Sequence, residues 1–147
     1  MAEVRRAEAV WHGDLASGSG TVRAATSGAF GDLPVTWSAR TSDHGGRTSP
    51  EELVAAAHAA CFSMAFSGGL ARAGSTAEQL DVSADVTFDK TDAGWRVISS
   101  ALTVRGRVPG MSAADFEAAA EAAKDGCPIS NALKGNVQLS VSATLEQ

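Results

Sequence analysis

Short stretches in which apolar and polar residues partly alternate fill the first forty positions of the chain. They cover residues 4–11, 21–26 and 33–40, and turn-forming glycines such as Gly18 and Gly28 separate them. Alternate residues of a strand face opposite sides of a sheet, so the pattern predicts three short strands. We expect them to form an antiparallel meander.

A long and nearly apolar helix is predicted next. Ser49 can cap its first turn, Pro50 suits the first helical position, and Glu52 completes a capping box. From Leu53 onward the sequence is apolar on almost every side, and Gly74 is a typical helix stop. The pattern predicts a central helix that is buried over most of its circumference.

The second half of the chain returns to alternation and then to helices. Residues 80–104 alternate around a turn at 92–94, which predicts a long hairpin. A helix opens at Ser112 and ends at Gly126, a short one begins at Pro128, and alternation resumes over 137–145. The order βββ, α, ββ, α, β predicts an α+β fold with helices on antiparallel sheets.

Composition limits the classes of protein. A length of 147 residues suits a single domain over 1–147, and the net charge of −5 has the wrong sign for a nucleic-acid partner. Many of the hydrophobic residues, 44% of the chain, are alanines that bury little area each. A core built largely from alanines gains stability when the domain buries a face against a second copy of the chain. We therefore expect a homodimer.

The sequence predicts no segment that targets the protein to a membrane or out of the cell. We expect no apolar run to approach the roughly 20 residues of a bilayer span, and residues 1–11 lack the apolar stretch of a signal peptide. Only two cysteines occur, too few for a disulfide-rich secreted domain. These features favour the cytoplasm, with no membrane partner.

The two cysteines are the first candidates for chemistry. Cys61 is interior to the apolar helix, where a cysteine usually serves as a small core residue. Cys127 precedes a short helix, and the unpaired N–H groups there stabilise a thiolate. Position alone therefore favours Cys127 as the more reactive thiol.

Other side chains leave several hypotheses open. His58 shares a helix face with Cys61, which permits a Cys–His pair for acyl transfer or hydrolysis, although a hydrogen-bonded core histidine fits equally. Arg40, at the end of the third predicted strand, is either a surface charge or a cation that stabilises a thiolate. A non-enzymatic redox sensor or ligand-binding dimer is a third hypothesis. His12, His44 and His58 match no ligand spacing, so no metal is expected.

Two motifs resemble those of a known family. Residues 48–65, TSPEELVAAAHAACFSMA, and residues 126–130, GCPIS, are similar to the two cysteine motifs of the OsmC/Ohr family of osmotically inducible proteins and organic hydroperoxide reductases. The resemblance extends over the whole chain, including the opening AVWHGD, and His58 places it nearer the OsmC branch.

The resemblance implies an intertwined homodimer of OsmC-like fold and a thiol-dependent peroxidase that reduces organic hydroperoxides, and hydrogen peroxide less efficiently. By the resemblance, Cys61 attacks the peroxide and Cys127 resolves the sulfenic acid into a disulfide. An activating Arg and Glu correspond to Arg40 and Glu51. No bound cofactor is implied, and an external lipoyl-type dithiol or small thiol is the implied reductant.

The spacing of two of these residues adds a geometric expectation. Glu51 and Cys61 are ten positions apart on one predicted helix, which separates them by about 15 Å along its axis. If both serve one site, we expect Glu51 to come from the partner subunit, giving two composite sites per dimer.

Overall fold

The structure, a computed structural model, describes all residues from Met1 to Gln147. It divides into two compact units, Met1–Leu53 and Val54–Gln147, and a single domain over 1–147 stays a prediction. The elements in chain order are β1 Ala7–His12, β2 Ser19–Ala24, β3 Leu33–Val35, α1 Ser38–Thr41, α2 Pro50–Arg72, β4 Gln79–Thr91, β5 Gly94–Arg107, α3 Ala113–Gly126, α4 Pro128–Leu133 and β6 Gln138–Glu146.

The first unit contains the predicted meander, a sheet in which β2 pairs antiparallel with both β1 and β3. The third strand is shorter than predicted, because the chain turns into α1 where a strand over 33–40 was expected. Thr36 Oγ1 accepts the backbone N–H of Ala39 at 3.2 Å, a local bond that competes with the sheet ladder. Arg40 therefore lies in a short helix and not at the end of a strand.

Helix α2 begins and ends where the sequence predicts. Ser49 Oγ accepts the backbone N–H of Glu52 at 3.1 Å, and Pro50 is the first helical residue. After Arg72 the chain reverses at Gly74, whose φ of 86° is readily adopted by glycine. The backbone N–H of Ser75 then reaches the carbonyl of Leu70 at 2.9 Å, which closes the last turn.

The burial of α2 corrects two expectations. Within the second unit its buried residues recur every fourth position, at His58, Phe62, Phe66 and Leu70, while Met64 is 71% exposed. The helix is thus buried along one stripe and not over most of its circumference. Its 23 residues are also long and apolar enough to cross a bilayer, contrary to the expectation about apolar runs, although core helices of globular proteins meet the same criterion.

The sheet of the second unit has the order β4-β5-β6. The predicted hairpin is present, since β4 and β5 pair antiparallel. Strand β6, however, pairs parallel with β5, so the sheet is mixed and not purely antiparallel. The reason is the connection: α3 and α4 carry the chain back before β6 begins, which is the kind of crossover that parallel neighbours need. The α+β class is confirmed.

The core of the second unit is aromatic where α2 meets α3. Phe66 lies with its ring centroid 5.5 Å from that of Phe62 and 5.0 Å from that of Phe116. Ser112 caps α3 by accepting the backbone N–H of Asp115 at 3.1 Å, as predicted. Cys127 belongs to the same buried cluster, and Cys61 packs against its edge. Cys127 therefore lies inside the core, and Cys61 lies at its edge.

Candidate functional site

An ion pair joins two of the predicted site residues in the first unit. Arg40 Nε donates to both carboxylate oxygens of Glu51 at 3.2 Å, and Nη2 donates to Oε1 at 2.6 Å. Glu51 is only 7% exposed. The guanidinium carbon also lies 5.4 Å from the ring centroid of Trp37, within cation–π range. Arg40 is thereby held in one orientation.

A cleft of about 370 Å³ borders this arginine. Apart from Thr36 and Arg40 its lining is apolar, with Trp11, Leu15, Val35, Trp37 and Pro50. A larger cleft of about 600 Å³ in the same unit, between Val4 and Asp32, is lined by several charged side chains and by none of the predicted site residues. The smaller cleft is the one whose chemistry suits an apolar ligand with a polar end.

The second unit brings the two cysteines together across 66 positions of sequence. Cys61 projects from α2 and is partly exposed, while Cys127 is fully buried between α3 and α4. Both are free thiols, and each contributes to the pKa shift of the other, so the two side chains lie close together.

Their surroundings shift the two thiol pKa values in opposite directions. Burial raises the pKa of Cys61, and the neighbouring Cys127 raises it further. The backbone N–H of Ile129 acts in the opposite direction and lowers this pKa. Burial also acts to raise the pKa of Cys127. The hydrogen bonds of its sulfur with the N–H groups of Ser130 and Ile129, the Cys61 thiol and the Ser130 hydroxyl outweigh that effect and lower it. The surroundings of Cys127 therefore favour its thiolate more than those of Cys61 do.

The predicted position of Cys127 at the start of a helix is confirmed. It is the N-cap of α4, with Pro128 as the next residue. The sulfur forms no standard side-chain cap bond. Sulfur is larger than a hydroxyl oxygen and accepts weaker, longer hydrogen bonds, so the N–H groups of Ile129 and Ser130 stabilise it without that geometry.

His58 is buried beside the cysteines. Its Nδ1 lies 2.7 Å from Ser100 Oγ on β5, and its Nε2 lies 2.8 Å from Ser130 Oγ on α4. Burial lowers the pKa of the imidazole. Both ring nitrogens are thus engaged by serines, which favours the core-histidine interpretation over a Cys61–His58 nucleophile pair.

Sequence reasoning missed the two serines. Ser100 is a polar residue on the face of β5 that also carries the buried Leu102 and Val104, and Ser130 closes the motif that begins at Gly126. A hydroxyl on an otherwise apolar strand face predicts a buried partner, and that was the available signal.

The four predicted residues thus form two pairs, one in each unit. Glu51 and Cys61 lie on the same unbroken helix α2, so ten residues, or about 15 Å, separate them along its axis. No cluster of three or more His, Cys, Asp or Glu side chains in the chain is arranged to hold a metal ion.

Known proteins resemble this chain over most of its length. The family described as OsmC-like protein matches residues 43–142. Peroxiredoxin OsmC of Escherichia coli strain K12 is 43% identical over 135 residues, which cover 92% of this chain and 93% of the relative. Organic hydroperoxide resistance protein OhrA of Bacillus subtilis strain 168 is 35% identical over 96 residues, covering 64% of this chain and 65% of its own.

Solved structures agree in fold. The crystal structure of an organic hydroperoxide resistance protein OsmC from Legionella pneumophila has a TM-score of 0.73 and 26% identity, covering 98% of both chains. That of OhrB from Bacillus subtilis has a TM-score of 0.66 and 23% identity, covering 96% of this chain and 98% of the other. At 23% identity, the similarity to OhrB shows a shared fold and nothing more.

Proposed function

The chain belongs to the OsmC family, and we propose that it is a thiol-dependent peroxidase that reduces organic hydroperoxides to alcohols. The observation that carries the proposal is the contact between Cys61 and Cys127, two free thiols in the core of one unit. The relatives named for peroxiredoxin activity and organic hydroperoxide resistance support it.

Exposure argues that Cys61 is the attacking sulfur. A peroxide can reach only a sulfur with some solvent access, and Cys61 is partly exposed whereas Cys127 is fully buried. The lowered pKa of Cys127 nevertheless favours a thiolate at Cys127. Because the two thiols lie close together, the Cys61 proton can pass to Cys127 as the Cys61 sulfur attacks. Cys127 thus serves first as the proton acceptor.

The chemistry then proceeds in balanced steps. The Cys61 sulfur bonds to one peroxide oxygen as the O–O bond breaks, and the other oxygen leaves as the alcohol after taking the proton that Cys127 had accepted. The Cys127 thiolate restored in this way attacks the sulfur of the Cys61 sulfenic acid and forms the disulfide, and the departing hydroxide takes a proton from solvent and leaves as water. An external dithiol, of the lipoyl type or a small thiol, regenerates both thiols by exchange and is itself oxidised. No bound cofactor takes part, and a cytoplasmic setting suits the reduced thiols.

Arg40 and Glu51 are the proposed activating groups. Burial raises the pKa of Cys61, so a cation near its sulfur would favour the attacking thiolate. Glu51 fixes the orientation of the guanidinium. Since about 15 Å of helix separates Glu51 from Cys61 of the same chain, we assign this role to the Arg40–Glu51 pair of the partner in a homodimer.

The substrate class follows from the cleft beside Arg40. Its lining from Trp11, Leu15, Val35 and Trp37 offers apolar contacts to an alkyl chain. Hydrogen peroxide has no group that could use those contacts. The proposal therefore includes a preference for organic hydroperoxides over hydrogen peroxide.

Intact mass measurement tests the function directly. The reduced protein receives one equivalent of tert-butyl hydroperoxide and is analysed without reductant, with its free thiols counted. The expected product has lost two hydrogens and both thiols. Cys127→Ser should instead gain one oxygen at Cys61, because no second thiol remains to resolve the sulfenic acid. Cys61→Ser should keep its mass, because the attacking sulfur is gone. In both variants serine replaces cysteine with a side chain of similar size.

Two other outcomes would favour the alternatives. An unchanged mass with two free thiols in a folded sample would contradict the peroxidase and direct attention to acyl transfer, for which His58→Ala should abolish activity and Cys127 should be dispensable. Disulfide formation without sustained peroxide consumption in the presence of a dithiol would favour a redox sensor.

A further inference from the structure

A continuous line of buried hydrogen-bonding groups connects three elements of the second unit. It starts at Ser100 on β5 and passes through the two nitrogens of His58 to the Ser130 hydroxyl in the first turn of α4. Cys127 is the N-cap of that turn, and the Ser130 hydroxyl acts to lower the pKa of its thiol. All four side chains are at most 2% exposed. The peroxidase steps above use Cys127 but neither His58 nor the serines.

Counting the hydrogens leaves this line two possible directions. A serine hydroxyl has a single hydrogen, and a neutral imidazole has one N–H and one acceptor nitrogen. If Ser130 donates to the sulfur, the 2.8 Å contact with Nε2 is a hydrogen bond only when Nε2 carries the imidazole proton. Nδ1 is then the acceptor, and the hydroxyl of Ser100 donates to it at 2.7 Å.

The reverse direction would disfavour the thiolate. If Ser130 donated to Nε2, its oxygen lone pairs would face the sulfur, and the Cys127 anion would lose a donor in a site without solvent. We propose that Ser130 is a positioning residue for Cys127, and that its hydroxyl points to the sulfur because His58 is held as the Nε2–H tautomer by Ser100. This deepens the proposed function, on which the role of Cys127 in turnover rests.

Few other charges face the sulfur. Cys61 on α2 is the titratable group in direct contact, and His58 acts through Ser130. Lys124, near the end of α3, forms an ion pair with Glu121 at 2.7 Å. The Cys61→Ser variant removes the second thiol and retains a hydroxyl donor, so a thiolate titration of that variant reports Cys127 alone.

The test is this titration, followed by ultraviolet absorption of the thiolate. The chain has no tyrosine, so no phenolate absorbs in the same range. In the Cys61→Ser background, Ser130→Ala is expected to raise the Cys127 pKa and to lower the thiolate fraction at neutral pH about tenfold. Ser130→Thr keeps the hydroxyl and should titrate like the parent. Ser63→Ala is the matched control, since the Ser63 hydroxyl bonds only to the Ala59 carbonyl of its own helix at 2.7 Å.

A second measurement does not depend on the folding of any variant. Nitrogen-15 NMR of the reduced, unsubstituted protein should show the His58 proton on Nε2. A proton on Nδ1, or a Ser130→Ala titration that coincides with that of its folded parent, would overturn the proposal. Measuring disulfide formation by mass distinguishes the peroxidase proposal from the proposed role of Ser130. If Ser130→Ala shifts the Cys127 pKa but peroxide forms no disulfide in the parent, only the peroxidase is rejected. If the disulfide forms but the pKa does not shift, only the positioning role is rejected.

Discussion

The carboxylate of Glu51 accepts three hydrogen bonds from Arg40, although the whole residue is only 7% exposed. A buried carboxylate without such partners would lose much of its hydration energy, so the guanidinium compensates for its burial. The planar fork of arginine matches two carboxylate oxygens at once, which lysine cannot do. The pair therefore has a fixed geometry as well as a charge.

Removing the charge of Glu51 should reduce both stability and turnover. Glu51→Gln retains the size and one acceptor oxygen but removes the carboxylate charge that faces the partly buried Arg40. We expect the free energy of unfolding to fall by about 1–2 kcal/mol. We expect kcat/KM for an organic hydroperoxide to fall about a hundredfold, since the cation loses its orientation. Denaturant unfolding and peroxide consumption measure the two effects.

The first unit offers a matched control for that change. Arg23 and Glu8 form a similar pair, with a shortest contact of 2.6 Å, but their side chains are 58% and 42% exposed. Because solvent screens such a pair, Glu8→Gln should change the free energy of unfolding very little and leave kcat/KM unchanged. Equal losses in both variants would mean that burial gives the Arg40–Glu51 pair no special role.

The exposed side of α2 leads to a prediction about assembly. Met64 is 71% exposed in the single chain, on a helix that is apolar along most of its length. If this side packs against the second copy of a homodimer, Met64→Glu should produce monomers, because a buried unpaired carboxylate is costly. Sedimentation velocity over a range of concentrations measures the change.

An exposed alanine on α3 provides the control for Met64. Ala122→Glu adds the same charge to another helix surface and should leave the dimer intact. A dimer that persists in Met64→Glu, or a parent protein that is monomeric at every concentration, would contradict the proposed interface.

Much of the fold could be predicted because its signals are local. Ser49 and Ser112 cap their helices through residues three positions away, and Gly74 reverses the chain directly after its helix. The parallel pairing of β6 with β5 was not predictable in this way, since the alternation of a strand does not reveal its neighbour. The strand predicted over 33–40 was too long for a related reason: its apolar pattern continues into α1.

The candidate site was less accessible to sequence reasoning. Position alone ranked Cys127 above Cys61 and could not pair them, so their pairing came only from the family resemblance. The partners of His58 lie 42 and 72 positions away along the chain, and no local pattern connects such distant residues. Burial along a single stripe of α2 was hidden for a similar reason: alanine is compatible with either side of a helix.

Gly106 should tolerate no side chain. A Cβ atom at this position would lie 2.5 Å from Phe116 Cζ and 2.9 Å from Leu80 Cδ2, both in the core of the second unit. Gly106→Ala should therefore lower the free energy of unfolding by about 1–3 kcal/mol through overpacking. Gly126→Ala, where a Cβ would meet nothing within 4 Å, should cause no such loss. Thermal or denaturant unfolding of the two variants compares them, and similar stabilities would contradict the tight packing at Gly106.

The buried imidazole of His58 should make stability depend on pH. Burial lowers its pKa below the ordinary value of 6.5, so the folded protein keeps it neutral where the unfolded chain already binds a proton. As the pH falls below about 6.5, protonation therefore favours the unfolded state. One such group contributes a slope of at most about 1.4 kcal/mol per pH unit, with stability lost on the acid side. Denaturant unfolding at a series of pH values measures this slope.

Two histidine variants identify the origin of that slope. His58→Gln cannot take up the proton, so its free energy of unfolding should be lower at neutral pH but should fall less steeply between pH 6.5 and the folded-state pKa. The lower starting value follows because a glutamine cannot reproduce both the 2.7 Å contact with Ser100 and the 2.8 Å contact with Ser130. His12→Gln, at an exposed position, is the matched control for the loss of a histidine. If His58→Gln and the parent lose stability in parallel on acidification, the slope has another source, and the neutral, serine-held imidazole is the wrong explanation for it.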